Sequence, residues 1–308
     1  MDRLSLLSFR STFFHAIRSF FHAAGYLEVD TPIRLPGLIP ESEIIPFVSE
    51  DWWLQTSPEL CMKRLLASGA EQLFQICHCF RKGELGRLHQ PEFTMLEWYH
   101  VGWDYLQLMR EVEDLLLALL HECVDFPAVC FPDALCWQGR EISLLPPWQR
   151  LSVEDAFLRY AGLSARDAFH SGRFDEILVV EIEPRLGWQT PTFLYDYPVE
   201  LASLARKKQD APDLAERFEL YIGGVELANG FSELIDAAEQ RARFCREQER
   251  IRQQGREPGP MPEAFLDDLA RLAPTAGIAL GLDRLLMLFL GRADVSEVQA
   301  IGLKNFTK

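Results

Sequence analysis

The chain has 308 residues, of which 48% are hydrophobic and 25% are charged, as expected for a globular protein with a sizeable core. The formal net charge of −15 argues against a protein that coats nucleic acid non-specifically. Seven cysteines without a CxxC pair predict reduced thiols and no disulfide framework, which favours a cytoplasmic location. The first residues lack the features of a signal peptide, and no apolar run reaches the roughly 18 residues that a membrane helix needs.

Apolar periodicity and glycine or proline breaks divide the chain into predicted helices and strands. The first half comprises a helix over 6–24, strands over 27–29 and 54–57, a helix from Pro58 to 66, strands over 71–80 and 92–99, and a helix over 105–123. The second half comprises short helices over 151–160 and 165–169, strands over 193–197, 217–222 and 225–227, a charged helix over 237–254, and a strand, a glycine turn and a helix over 277–291. Residues 124–148 are predicted to be rich in loops, and 124–190 as a whole is interpreted as an insertion.

The segment FRKGELGRLHQPEFTMLEWY, residues 80–99, combines a hairpin pattern with residue types that bind nucleotides. Arg81 follows the first predicted strand, and Phe93 lies in the second strand, after a polar loop. An arginine fork binds phosphate bidentately, and an aromatic ring offers a face on which a purine can stack. Such a hairpin can hold a nucleotide in a bent shape, although an ordinary charged turn is the simplest interpretation of the loop alone.

A second segment with nucleotide-binding character is GIALGLDRLLMLFLG, residues 277–291. Gly281 permits close approach to the backbone, and Arg284 lies in the first turn of the predicted helix, where its charge adds to the helix dipole. Taken alone, a strand, a glycine and a helix with an arginine would be interpreted as structural.

The order and spacing of three features resemble motifs 1, 2 and 3 of the class II aminoacyl-tRNA synthetases. The features cover about 6–32 with Pro32 at the end, about 71–99, and about 277–291. The resemblance implies an α+β fold with a mixed, mostly antiparallel sheet flanked by helices, in a single catalytic domain over 1–308.

Within this class, TSPELCMKRLL, the hairpin segment, RFELYIGGVELANGFSEL and GIALGLDRLLML are similar to the catalytic core of lysyl-tRNA synthetase. The resemblance implies ATP as a substrate and Mg²⁺ as its metal. It implies that Arg81 holds the α-phosphate and the substrate carboxylate, and that Arg284 holds the γ-phosphate and covers the adenine. His89 would contact the outer phosphates, and Phe93 would stack under the adenine. The other implied ATP contacts are Glu84, Glu226, Leu227 and Gly281, and the implied Mg²⁺ ligands are Glu219 and Glu226.

The positions that match the amino-acid site of lysyl-tRNA synthetase are rich in carboxylates. They are Ser57, Glu59, Arg81, Glu97, Tyr99, Asn229, Glu233 and Ala279. Three carboxylates in one pocket repel each other and lose hydration, and bound ammonium groups would relieve both costs. These residues therefore favour a lysine-like diamine independently of the family name. The implied reaction is acyl-adenylate formation, in which arginines and metal align the reactants and neutralise charge, followed by transfer to an acceptor.

Further details resemble truncated bacterial paralogs of lysyl-tRNA synthetase that attach lysine or (R)-β-lysine to a lysine side chain of elongation factor P. The first motif begins within about ten residues of the start, which leaves no room for an anticodon-binding domain and argues against tRNA as a partner. Ser57 stands where synthetases of this type usually have Ala, and Ala279 where they usually have Gly. The resemblance implies an ATP-dependent ligase whose protein partner is elongation factor P. The hairpin loop departs from the family pattern at Gly83, where an acidic residue is usual, and Glu84 is the candidate replacement.

Two other functions stay open. The first is a stand-alone lysyl-adenylate former with an RNA or a small molecule as acceptor; contact with RNA needs a basic surface, for which the charge of −15 is lukewarm support at best. The second is an inactive paralog that senses lysine or nucleotide, which the intact arginine and acidic positions disfavour. The first motif also implies a homodimer with Pro32 near the interface, whereas the simpler explanation is that the aromatic residues of 6–24 pack in the core.

Overall fold

An eight-stranded β-sheet forms the centre of the computed structural model, which describes residues 1–130 and 133–302. Residues 131–132 and 303–308, which the predicted single domain includes, lie outside the described residues. The strands in the described part are β1 (Leu27–Glu28), β2 (Arg34–Leu35), β3 (Val48–Ser49), β4 (Trp52–Leu54), β5 (Gln72–Phe80), β6 (Glu92–Val101), β7 (Val129–Cys130), β8 (Ala134–Trp137), β9 (Arg140–Ser143), β10 (Gln149–Ser152), β11 (Thr192–Pro198), β12 (Leu214–Ile222), β13 (Val225–Ser232) and β14 (Thr275–Gly281). The α-helices there are α1 (Arg3–Ala23), α2 (Glu59–Ala67), α3 (Tyr105–Glu122), α4 (Val153–Ala161), α5 (Ala165–His170), α6 (Phe174–Ile177), α7 (Ala237–Gln253), α8 (Glu263–Leu269) and α9 (Leu282–Phe289). Short 3-10 or π-helical turns cover Leu178–Ile182, Glu183–Arg185, Val199–Leu201 and Val295–Val298.

The central sheet is mixed and mostly antiparallel, which confirms the predicted α+β class. Its strand order is β1-β5-β6-β14-β13-β12-β11-β10. Only the outermost pairs, β1 with β5 and β10 with β11, are parallel. The inner pairs are antiparallel, including the predicted β5–β6 hairpin. Two three-stranded sheets, β2-β4-β3 and β7-β8-β9, lie beside it.

The two long helices near the N-terminus form as their sequences predict. Asp2 caps α1 by accepting from the Ser5 backbone N at 3.0 Å, and Gly25, with φ +85°, follows its end. Asp104 begins α3 with a capping box that Gln107 completes. α1 and α3 pack against each other over the sheet. No helix among residues 1–130 and 133–302 is long and apolar enough to cross a membrane.

The two faces of the central sheet have different roles. Successive side chains of a strand point to opposite faces. On β14, Ile278 and Leu280 pack in the core beneath α1, α3 and α9. Gly277 and Ala279 face the other side, where a second apolar cluster from α2, α7 and α8 covers only part of the sheet. The remaining part of that face is open and forms the candidate site.

Three predicted segments were wrong in extent. The strand predicted over 54–57 lies earlier, as β4. The strand predicted over 225–227 extends to Ser232, because β12 and β14 pair with β13 along both of its edges. The segment 124–148 contains the β7-β8-β9 sheet, whose strands of two to four residues are too short to show a period. Within the predicted insertion, β10 belongs to the central sheet.

The prediction that all cysteines are reduced was also wrong. Cys130 and Cys136 form a disulfide. They lie on the neighbouring strands β7 and β8, which bring their Cα atoms to 6.2 Å, a proximity that sequence spacing alone did not reveal. The other five cysteines are free. The cysteines therefore no longer support the prediction of a reducing compartment.

Candidate active site

The register of three central strands builds the floor of the site. Ala279 of β14 pairs with Asn229 of β13 on one side and with Glu97 of β6 on the other. Gly277, two positions earlier, pairs with Phe231 and Tyr99 of the same two strands. Residues two apart on a strand share a face. The result is two rows across β13, β14 and β6: Asn229, Ala279 and Glu97 in one row, and Phe231, Gly277 and Tyr99 in the next.

A cavity of about 70 Å³, here called the Glu97 cavity, lies over these rows. It is lined by Glu41, Ser57, Glu59, Arg81, Met95, Glu97, Tyr99, Ser203, Leu204, Asn229, Phe231, Gly277, Ile278 and Ala279. The structure thus brings together every predicted amino-acid contact except Glu233. Glu41 was missed by the sequence analysis, because it lies in an irregular segment that carries no motif.

Glu97 presents an unsatisfied carboxylate oxygen in this cavity. Its Oε1 accepts from the Tyr99 hydroxyl at 2.5 Å, whereas its buried Oε2 has no hydrogen-bond partner among the described residues. Burial, and secondly the neighbouring Glu59, raise the pKa of Glu97 well above its usual range. A buried acceptor without a partner is costly, so the cavity favours a ligand that donates hydrogen bonds.

Lys63 holds the carboxylates of Glu59 and Glu233, an ion-pair network that the sequence analysis missed. Lys63 lies one helical turn after Glu59 on α2, and its Nζ is 2.5 Å from Glu59 Oε1 and in contact with Glu233 Oε2. Its side chain is only 1% exposed. Burial lowers the pKa of Lys63, but the two carboxylates outweigh burial and raise it overall. The i, i+4 spacing from Glu59 was the signal that could have revealed this pair.

One ammonium group cannot neutralise two buried carboxylates. Burial raises the pKa of Glu233 to about 8, although Lys63 opposes this, so Glu233 retains a proton near neutral pH. Glu233 lies directly under Gly277, where an added Cβ would be 2.6 Å from Glu233 Oε1 and 2.2 Å from Tyr99 Cε1. The predicted contact Glu233 therefore lies behind the cavity wall, paired with Lys63. The sequence analysis treated Glu59, Glu97 and Glu233 as three carboxylates that a bound diamine would neutralise. Because Lys63 already pairs with Glu59 and Glu233, Glu97 is the carboxylate that most favours a bound ammonium group.

Asn229 is oriented by an arginine on the neighbouring strand. Arg217 Nε donates to Asn229 Oδ1 at 3.0 Å. This bond leaves the amide NH₂ group of Asn229 as a donor at the cavity wall. The cavity thus offers both a donor and carboxylate acceptors.

A second cavity, of about 230 Å³ and here called the Arg284 cavity, adjoins the first. It is lined by Arg81, Glu84, Leu88, His89, Gln90, Phe93, Thr94, Met95, Glu226, Leu227, Ala228, Asn229, Ala279, Gly281, Asp283, Arg284 and Val295. All eight predicted ATP contacts are among them. The two cavities share Arg81, Met95, Asn229 and Ala279.

Arg81 lies at the junction of the two cavities. It directly follows β5, and its backbone N donates to Pro91 O at 2.9 Å, which closes the loop of the hairpin. Its guanidinium carbon is 5.2 Å from the centre of the Phe93 ring. Gly83, in the same loop, has φ +86°, a conformation that favours glycine over residues with a side chain. Glu84 lines the cavity, and its Oε1 is 3.9 Å from Arg81 Nη1.

Arg284 connects the hairpin loop to β13. Its guanidinium donates to Leu88 O at 3.0 Å and to Glu226 O at 2.7 Å, and its Nη2 is 2.5 Å from His89 Nε2. Desolvation and the adjacent Arg284 charge lower the pKa of His89, so that its ring is neutral at neutral pH. Neutral His89 thus accepts from Arg284 through Nε2, and the two side chains line the cavity together.

Asp283 joins three elements beneath the Arg284 cavity. Its Oδ1 accepts from Arg10 of α1 at 2.7 Å, and its Oδ2 accepts from the Thr94 backbone N of β6 at 2.7 Å. Arg10 also donates to Thr94 Oγ1 at 2.8 Å. Because Asp283 precedes Arg284 on α9, this network sets the position of that helix relative to the hairpin.

The predicted metal ligands occupy different environments. Glu226 lines the Arg284 cavity and is 38% exposed, whereas Glu219 is buried on the neighbouring strand. Glu219 accepts from Tyr197 at 2.5 Å, Tyr221 at 2.7 Å and Arg217 at 2.6 Å. The described residues contain no cluster of three metal-ligating side chains.

A third carboxylate lies near these two. Glu183 accepts from the Tyr221 hydroxyl at 3.2 Å. Burial, then Glu226 and Glu219, raise the pKa of Glu183 to about 7. Sequence analysis missed Glu183 because it lies in the segment 124–190, where no motif was recognised.

Comparisons with known proteins agree with this arrangement. The family model described as tRNA synthetases class II (D, K and N) matches residues 2–304. The chain is 38% identical over 304 residues to the elongation factor P–(R)-β-lysine ligase of Salmonella gallinarum, with 94% of this chain and 93% of the relative covered. Proteins of the same name from Salmonella typhi and Salmonella paratyphi A are each 37% identical over 302 residues, with the same shares covered.

Proposed function

The chain belongs to the family of class II tRNA synthetases (D, K and N), and we propose that it is an ATP-dependent ligase that transfers lysine or (R)-β-lysine to a lysine side chain of elongation factor P. The observation that carries the proposal is the junction at Arg81. On one side lies a cavity lined by arginines and an aromatic ring, and on the other a cavity lined by carboxylates. This arrangement suits a polyphosphate and an amino-acid cation whose reacting groups meet at one guanidinium.

The reaction has two steps. The substrate carboxylate attacks the α-phosphate of ATP, and pyrophosphate leaves, which forms an acyl-adenylate. The acceptor amine then attacks the acyl carbonyl and AMP leaves. The protein supplies no covalent nucleophile, and Arg81 and Arg284 act by alignment and by neutralising developing negative charge.

The roles of the other residues follow from where they lie. Phe93 and Arg284 would enclose the adenine, and His89 would donate to the outer phosphates. On the amino-acid side, Glu97 Oε2 is the buried acceptor that an ammonium group would satisfy. A monoamino acid without a distal ammonium would leave this oxygen unpaired, which favours a diamine.

Mg²⁺ fits the acidic side of the Arg284 cavity. Glu226 faces the cavity, and the mutual repulsion of Glu226, Glu219 and Glu183 contributes to the raised pKa of Glu183. A divalent cation would relieve this repulsion. Glu226 and Glu219 would hold it, and it would neutralise charge on the leaving pyrophosphate.

We further propose that the protein is a cytoplasmic homodimer. A groove lined by Leu7, Arg10, Phe14 and neighbouring residues of β5 runs along α1, and is here called the Arg10 groove. Leu4 and Leu27, on α1 and β1, are 78% and 60% exposed. Exposed apolar residues beside a groove are typical of an interface. The location follows from the acceptor, a translation factor.

Two alternative functions are distinguished by their acceptors and by activity. An RNA acceptor would require measurable charging of RNA, which a surface of net charge −15 does not favour. A sensor would bind ATP but catalyse no amino-acid-dependent exchange of pyrophosphate. The presence of Arg284 and His89 at one cavity and the open Glu97 Oε2 favour an active enzyme over a sensor.

The test is intact-mass spectrometry of elongation factor P after incubation with the protein, ATP and Mg²⁺. Lysine and (R)-β-lysine are supplied in separate reactions. We expect a gain of one lysyl group, faster with (R)-β-lysine, and no gain with Arg81→Ala. The control Arg173→Ala removes an exposed arginine that lines neither cavity and should leave the gain intact. Absence of any gain with the unaltered protein would overturn the proposal.

A further inference from the structure

A carboxylate outside the motifs lies in the amino-acid site. Glu41 belongs to the segment between β2 and β3, and lines the Glu97 cavity together with Ser57, Glu59 and Arg81. Within residues 1–130 and 133–302, its carboxylate forms no hydrogen bond and no ion pair. Glu41 is therefore a half-buried acceptor that faces a cavity without a partner.

The backbone around this residue is held in place from two sides. The Ser42 backbone N donates to Glu247 Oε2 of α7 at 2.9 Å, and Arg256 Nη2 donates to Ser42 O. Three residues further on, Ile45 O accepts from the Lys82 backbone N of the hairpin at 2.7 Å. The segment is thus tied both to α7 and to the loop that carries Arg81, which holds the backbone of Glu41 beside the cavity.

The charges around Glu41 explain its unusual state. Burial raises its pKa to about 7, and the charge of Arg81 is the larger of the two cationic effects that lower it. Glu59 and Glu247 raise the pKa further, whereas Arg217 lowers it slightly. An ammonium group placed beside Glu41 would replace the water that burial has removed.

The carboxylates of the site are not equally available. Glu59 and Glu233 share Lys63, and Glu97 Oε1 accepts from Tyr99. Of the carboxylates that line the Glu97 cavity, Glu41 and Glu97 are the two that form no ion pair with a cation of the described residues, whereas Glu59 pairs with Lys63. A diamino acid carries two ammonium groups, which matches these two unpaired carboxylates.

We propose that Glu41 binds the substrate amino group nearest to the substrate carboxylate, while Glu97 binds the distal ammonium. The assignment follows from Arg81, which would hold the substrate carboxylate: Arg81 and Glu41 line the same cavity, and the segment of Glu41 is hydrogen-bonded to Lys82, the residue after Arg81. Glu41 is then a specificity-determining residue: it strengthens the binding of diamino acids but not of ω-amino acids, which lack the amino group near the carboxylate. This inference rests on the proposed amino-acid activation.

The test measures amino-acid-dependent pyrophosphate exchange by the full chain and by Glu41→Gln. For lysine and (R)-β-lysine, we expect KM to rise on the order of 10- to 100-fold, since a charge-assisted hydrogen bond is lost. The probe 6-aminohexanoate retains the carboxylate and the distal amino group but lacks the nearer one. Its inhibition constant should be unchanged, as should KM for ATP. Glu43→Gln is the matched control, because Glu43 is an exposed carboxylate of the same segment that lines neither cavity.

The outcomes are distinct. An unchanged KM for both diamines in Glu41→Gln would overturn the inference. So would an equal weakening of 6-aminohexanoate, because Glu41 would then act on the whole cavity and not on one amino group. If the unaltered protein catalyses no exchange with either diamine, the proposed activation fails, and the role of Glu41 fails with it.

Discussion

Replacement of Lys63 by methionine tests how the two buried carboxylates are tolerated. Methionine has a similar shape but no charge, so Glu59 and Glu233 would lose their shared cation. Lys63 and Glu233 have side chains that are 1% and 0% exposed, so solvent cannot replace the lost interaction. Breaking a buried pair by removing one partner costs about 3–5 kcal/mol. Because Glu233, with a pKa of about 8, can remain protonated, we expect the lower end, a loss of about 3 kcal/mol in the free energy of unfolding near neutral pH.

The sign of the pH dependence follows from linkage. Lys63 lowers the pKa of Glu233 in the unaltered protein, so without Lys63 the folded-state pKa of Glu233 rises above about 8. Between the unfolded-state and folded-state pKa values of Glu233, the folded state binds more protons than the unfolded state, so the variant gains stability as pH falls. The stability difference between Lys63→Met and the unaltered protein should therefore grow as the pH rises from about 7 to about 9, because Glu233 ionises at about 8 in the unaltered protein but at a higher pH in the variant.

The assay is urea-induced unfolding followed by tryptophan fluorescence at both pH values. Lys207→Met is the control, since Lys207 is 46% exposed and pairs with Glu239 at 3.2 Å, and an exposed pair contributes only about 0–1 kcal/mol. Adding Glu233→Gln to Lys63→Met should restore part of the loss. A loss no larger than that of Lys207→Met, or one that is independent of pH, would refute the reasoning.

Three other substitutions and one treatment have defined outcomes. Ala279→Gly removes a methyl group that lines both cavities, and should change the ratio of kcat/KM for lysine to kcat/KM for (R)-β-lysine by about tenfold. An unchanged ratio would show that Ala279 does not determine which of the two substrates is preferred. Gly277→Ala would place a Cβ 2.2 Å from Tyr99 Cε1, so KM for the diamine should rise at least about tenfold while KM for ATP stays the same, as exchange assays at varied substrate would show. Chelation of divalent metal should abolish exchange, and Glu226→Gln should raise the Mg²⁺ concentration needed to restore it; equal Mg²⁺ requirements would exclude Glu226 as a ligand.

The parts of the fold that the sequence predicts best are those with long periodic patterns and strong breaks. α1 and α3 are predicted within a few residues, because each carries a continuous apolar stripe that the core requires. The β5–β6 hairpin is predicted because both strands are long and the loop between them is polar. The floor of the site follows from these elements, since it lies on the odd-numbered positions of β6 and β14.

The parts that could not be predicted depend on tertiary context. β13 continues through Asn229 and Gly230, which have low strand propensity, only because it is paired on both edges. Glu41 carries no local pattern, and its place in the site is set by contacts of Ser42 with α7 and with Arg256. The pairing of Lys63 with Glu233 joins residues 170 positions apart, so only the folded sheet reveals it.

The shared ammonium of Lys63 has a consequence for the heat of ligand binding. Because burial raises the pKa of Glu233 to about 8 and the one lysine is shared with Glu59, Glu233 retains a proton in the free protein. A bound diamine brings new positive charge into the same site and favours the ionised carboxylates, so protons pass to the solvent as the ligand enters. The enthalpy measured by calorimetry will then vary with the ionisation enthalpy of the buffer, and its slope will count the protons released. Ligand recognition in this site is thus an acid–base exchange as well as a steric fit.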